Sequence, residues 1–175
     1  MAIALALITV GLLSSTFHLG HPERAWRALS QWRSSWLSRE GVAAVATYVP
    51  AFLFGLLWSG LVPSQGLVGI LGFITAVLAL VTVICTGKIY STLPTIRAWN
   101  QPLTVPVYVA FSLATGAACL MAIATFFGRF QIFQLALAAV ALALIGAMKW
   151  LYWRAIDKAP RERTMQAATG LGPQV

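Results

Sequence analysis

Residues 66–87 read GLVGILGFITAVLALVTVICTG, 22 positions without a charge or a proline. A helix rises 1.5 Å per residue, so a run of this length spans the roughly 30 Å of a bilayer's hydrocarbon core. Four further apolar runs cover about residues 2–19, 41–62, 103–127 and 131–153. Within hydrocarbon every backbone N–H and C=O needs an internal partner, which helices supply and open strands do not. A closed barrel would need alternating polarity along each run, and none of the five shows it. The expectation is an all-α integral membrane bundle of about five transmembrane helices. Residues 1–158 form the membrane domain and 159–175 a polar C-terminal tail.

Composition points the same way. Of 175 residues, 59% are hydrophobic and 9% are charged, with a mean hydropathy of +0.82, whereas about a quarter of a soluble domain is charged. Twelve Lys and Arg against four Asp and Glu give a net charge of +8. On a soluble surface that balance would suggest nucleic acid, but here the charges occupy the gaps between apolar runs, where they face headgroups and set topology. No nucleic-acid partner is expected. The first run has no basic residue before it and no cleavage site after it, so it reads as a helix and not as a signal peptide. Both ends of the chain look open. Pro50 and Pro106 are expected to kink their spans, and Gly55, Gly60, Gly69, Gly72 and Gly116 to permit close helix contacts. Cys85 and Cys119 lie in separate runs with no redox or metal spacing.

Arg24, Arg27, Arg33, Arg39, Lys88, Arg97, Lys149, Arg154, Lys158, Arg161 and Arg163 fall on one side of a five-span topology, and Arg129 on the other. The positive-inside rule places the first side in the cytoplasm.

Residues 17–41, FHLGHPERAWRALSQWRSSWLSREG, hold both histidines, two of the four acids and a cluster of tryptophans. Pro22 suits a first helical turn, and Ala25, Trp26, Leu29, Trp32 and Trp36 recur at three- or four-residue steps while Arg24, Arg27 and Arg33 point elsewhere. The pattern predicts one amphipathic helix lying in the membrane interface. His18 closes the first run and Glu40 opens the second, so both stand at one membrane boundary. Each has a structural explanation: His18 at a helix C-terminus capped by Gly20, and Glu40 in the first turn of a helix capped by Ser38. An ionisable pair at the boundary is equally a functional candidate. Two histidines three residues apart do not make a bis-histidine haem site, and two isolated cysteines hold neither an iron–sulfur cluster nor zinc. No phosphate-binding loop or dinucleotide fingerprint is present.

The run HLGHPERAWRALSQWRSSWLSREG, followed after two spans by GKIYSTLPTIRAWNQPLT, resembles the membrane anchor subunit of the dimethyl sulfoxide reductase family. The first motif places a histidine 22 positions before an acid, here His18 and Glu40. The second is carried by Tyr90, Pro94, Thr95, Ala98, Trp99, Asn100 and Pro102. The likeness covers most of this chain but only the middle of a usual member, implying further spans on both sides and a truncated product or fragment. It implies a multi-pass protein of the bacterial inner (cytoplasmic) membrane that oxidises menaquinol as a bound substrate. Electrons then pass to an iron–sulfur electron-transfer subunit and on to a molybdopterin catalytic subunit, in anaerobic respiration. The anchor itself carries no haem, metal or cluster. The resemblance implies His18 as hydrogen-bond partner of the quinol and Glu40 as proton acceptor. Arg39 orients Glu40, and Arg24, Arg27, Arg33 and Arg97 dock the partners. Relatives commonly export their catalytic subunits, which would set the Arg-rich face outside, against the charge count. Two other readings are a structural tether without quinol chemistry and a small proton-coupled transporter built on His18 and Glu40.

Overall fold

The computed structural model describes residues 2–17, 20–60, 65–129 and 131–158. Its elements are α1 (Ala2–Thr16), a 3-10 turn (Pro22–Arg24), α2 (Arg27–Ser30), α3 (Trp36–Trp58), α4 (Gln65–Ser91), α5 (Thr104–Phe126) and α6 (Ile132–Lys158). Among the described residues there is no strand. The helices α3, α4, α5 and α6 are long and apolar enough to cross a membrane. The fifth, α1, is as apolar but has 15 residues, about 22 Å at the helical rise and short of the core thickness. The tail 159–175 lies outside the described residues.

Large side chains point outward: Leu7, Val49, Phe73, Leu120 and Leu142 are each more than 60% exposed. The buried set among the described residues is small, comprising Ser38, Ala43, Ala51, Cys85, Thr104 and Tyr152 with a few more on α3 and α4. A soluble fold does not leave so much apolar area in contact with water, so lipid completes the outer surface.

The chain divides into two compact units, Met1–Gly116 and Ala117–Val175. In the first, α3 and α4 form an antiparallel hairpin whose register is set at three levels. The Phe54 ring lies 3.1 Å from where a Cβ on Gly72 would stand. Glu40 meets Thr86, and the Lys88 ammonium lies 5.8 Å from the Trp36 ring centroid. Helix α1 joins α3 through Thr9 and Tyr48, whose hydroxyls are 3.0 Å apart. Pro50 is accommodated inside α3 and is buried; its missing N–H leaves the Ala46 carbonyl without its usual helical donor. Pro106 falls in the first turn of α5, where no N–H is needed. In the second unit α5 ends at Gly128, with φ +68°, as the Arg129 N–H bonds the Ala124 carbonyl at 2.8 Å. On α6, Arg154 stacks 4.4 Å over Trp150, and Lys149 faces Tyr152 and Trp153, an interfacial aromatic pattern.

Three expectations are corrected. Residues 22–36 do not form one amphipathic helix: the 3-10 turn, the single turn of α2 and a run of turns replace it. Serines break the periodicity, since Ser30 and Ser34 hydroxyls bond the carbonyls of Arg27 and Gln31, competing with helical N–H donors. The N-cap of α3 is Ser35, whose hydroxyl accepts from the Ser38 N–H at 3.4 Å, so Glu40 lies beyond the first turn. The close-contact glycines differ as well. Gly69 and Gly116 have nothing within 4 Å, whereas Gly41 meets Leu29 and Gly87 meets the Val105 backbone at 3.1 Å.

Gly87 therefore sets the approach of α5 to α4. Gly87→Val is expected to lower stability in detergent by about 1–3 kcal/mol through overpacking. Gly116→Ala is expected to be neutral or to stabilise by up to about 1 kcal/mol. A denaturant titration of both variants against the wild type checks the pair.

Candidate functional site

The first turns of α3 and the last turns of α4 meet at one end of the hairpin, and two loops are tied down there. Because α2 stops after one turn, carbonyls within it and after it have no helical N–H partner. Side chains from α3 satisfy them. The Ser38 hydroxyl donates to the Ala28 carbonyl, while Arg39 donates from Nε to the Trp32 carbonyl at 3.0 Å and from Nη2 to the Arg33 carbonyl at 2.7 Å. Leu29 closes the contact against Gly41. Segment 20–35 is thus stapled over the start of α3.

The second loop, residues 92–103, is held by aromatic and amide contacts. Tyr90 stacks on Tyr108 with centroids 5.4 Å apart and meets Trp99 edge-on at 4.9 Å. Asn100 Nδ2 donates to the Ser91 carbonyl at 2.8 Å, and the buried Thr104 hydroxyl donates to the Trp99 carbonyl at 2.6 Å. Four residues of the second motif, Tyr90, Trp99, Asn100 and the adjoining Pro102, thereby have a place in the fold. Lys88, Ser91, Asn100, Gln101, Pro102 and Val105 line a recess of about 380 Å³ beside them, polar and apolar in equal measure.

Between the loops sits Glu40, half-buried. Its Oε1 lies 2.5 Å from the Thr86 hydroxyl, which is also 3.0 Å from the Thr82 carbonyl. A hydroxyl has one proton to share between two acceptors. With Glu40 ionised the proton turns to the carboxylate; with Glu40 protonated the acid donates to Thr86, which turns to its own helix. The pair accommodates both states of the acid. Below it, α1, α3 and α4 line an open cleft of about 410 Å³, walled almost wholly by apolar atoms and including Ala44, Ala51, Ala79 and Thr82.

His18 lies outside the described residues. Arg39 gives two of its five donors to the Trp32 and Arg33 carbonyls and lies over the face of Trp36, 4.3 Å from the ring centroid. It orders the loop. Arg24 is 3.8 Å from Glu23, which also bonds His21, and Arg27 and Arg33 lie beside the exposed rings of Trp26 and Trp32. Arg97 is half-buried within the second loop. Sequence reasoning did not find Thr86, which stands 46 positions from Glu40; its only signal is a hydroxyl near the charged end of an apolar run.

These features define a multi-pass helical membrane protein with an acid held at the membrane boundary and ordered loops above it. The profile described as DMSO reductase anchor subunit (DmsC) matches residues 1–168, and the chain belongs to that family. A sulfite dehydrogenase subunit from Allochromatium vinosum is 32% identical over 180 residues, covering 97% of this chain and 55% of the relative. The chain thus spans about half the length of that curated relative. No solved structure matches.

Thr86→Val removes the donor to Glu40, and is expected to cost about 1–3 kcal/mol of stability. The carboxyl stretch of Glu40 in the infrared should shift, with Thr86→Ser restoring both; a spectrum indifferent to Thr86 would contradict the contact.

Proposed function

We propose that the chain is the membrane anchor of a molybdenum-dependent oxidoreductase in the bacterial inner membrane, and that it oxidises menaquinol at Glu40. The observation that carries this reading is a carboxylate held by Thr86 at the head of an apolar cleft, in a member of the DMSO reductase anchor family. Quinol oxidation releases two protons and two electrons. A base within hydrogen-bond reach of a quinol hydroxyl takes a proton; Glu40 is assigned that role, with Thr86 turning as its charge changes. His18 is assigned as hydrogen-bond partner of the quinol on the strength of the family motif. The electrons leave to an iron–sulfur subunit and then to a molybdopterin subunit, whose redox centres do the chemistry that side chains cannot. The stapled segment with Arg24, Arg27 and Arg33, together with Arg97, is the face assigned to docking those subunits. Arg39 acts through the loop it holds.

The name of the Allochromatium relative favours a second direction of flow. In a sulfite-oxidising assembly, electrons would reach a quinone, and Glu40 would supply the proton it otherwise receives.

In the complete assembly, Glu40→Gln is expected to lower quinol-linked turnover by about 100-fold or more, the usual worth of a positioned proton acceptor, and His18→Ala to impair it. Turnover of the soluble subunits with an artificial redox partner stays intact. Loss of membrane attachment with quinol turnover unchanged would favour the tether, and quinol-independent uptake into vesicles the transporter. Running the assay with quinol and with quinone separates the two directions.

A further inference from the structure

Resting on the quinol reading, we propose that the cleft between α1, α3 and α4 holds the polyprenyl tail of the quinol. Ala44 and Thr82 line it, and they lie one helical turn, about 6 Å, below Glu40 and Thr86 respectively. From there it follows both helices to Ala51 and Thr75, about 10 Å deeper into the hydrocarbon. It begins one helical turn from the Glu40–Thr86 pair and runs along α3 and α4.

The lining suits a branched hydrocarbon. Threonine hydroxyls in the wall already bond their own helices: Thr47 to the Ala43 carbonyl at 2.7 Å, Thr75 to Leu71 at 2.7 Å and Thr82 to Leu78 at 2.9 Å. Tyr48 shares its hydroxyl with Thr9 at 3.0 Å. Polar ligands gain little from a wall whose donors are spent. Alanines at 44, 51 and 79 leave width for methyl branches where the bulkier leucines and phenylalanines common elsewhere on α3 and α4 would fill the space. A phospholipid chain is the poorer occupant, because its phosphate would be set beside the Glu40 carboxylate, whereas a quinol head is neutral.

The test uses native membranes carrying the full assembly, with a long-tailed menaquinol and a tail-less naphthoquinol as substrates. Ala79→Phe is expected to raise KM for the long-tailed quinol about tenfold, the effect of losing roughly two buried methylenes. KM for the tail-less quinol and kcat for both stay unchanged. Ala79→Leu is the milder variant should the larger ring impair assembly, and Val77→Phe, at a position on the same helix that does not line the cleft, leaves both quinols unaffected. Equal effects on both quinols, or none on either, overturn the proposal, as does loss of co-purifying phospholipid with the long-tail KM unchanged. The Glu40→Gln arm keeps the two readings apart. If it spares turnover of the tail-less quinol, the head site falls; if it abolishes that turnover while Ala79→Phe spares the long-tailed substrate, only the tail assignment falls.

Discussion

Backbone groups in a bilayer have no water to turn to, and this constraint shapes the whole molecule. It makes the apolar runs helices, and where a helix stops its terminal groups must find other partners. At the start of α3 the broken segment 20–35 presents carbonyls without helical donors, and Ser38 and Arg39 supply them. Those two side chains sit immediately before Glu40. The acid is therefore positioned by a turn of helix whose neighbours are already committed to holding a loop, which leaves Thr86 as its partner across the hairpin.

The role of Arg39 illustrates how charge and location diverge. A guanidinium next in sequence to a carboxylate invites an ion pair, yet planar donors aimed at two carbonyls and stacked on Trp36 give it three partners at once. The Glu40 carboxylate is left to a neutral hydroxyl, a partner that can follow a change of charge by rotating. A fixed cation would favour only the ionised acid.

Helix class was legible in the sequence because hydropathy and length depend on local composition, with 66–87 appearing as the core of α4, but the count was not: four helices reach spanning length, and the first run folds as the 15-residue α1. The ends were also less legible. The spans run past the apolar runs to Trp36, Ser91 and Lys158, since long cations and tryptophans remain helical while reaching the interface. Ser35 and Ser38 are equally good caps by residue type, and only the Ala28 carbonyl, ten residues back, decides between them. Gly41 and Gly87 matter because of Leu29 and Val105, neighbours that no periodicity reveals. Glu40 stood out as an acid at a boundary; Thr86 did not, because a threonine that bonds its own helix is ordinary until a second acceptor faces it.

The antiparallel register of α3 and α4 bears on how the protein is made. Its contacts join segments adjacent in the chain, so the pair has low contact order and assembles early as each helix leaves the translocation machinery. Helix α5 then docks by the approach that Gly87 allows. The described attachment of helix α1 is to α3, through the Thr9 and Tyr48 hydroxyls. That contact joins residues 39 positions apart, so α1 is held by a longer-range and sparser link than the one that closes the hairpin.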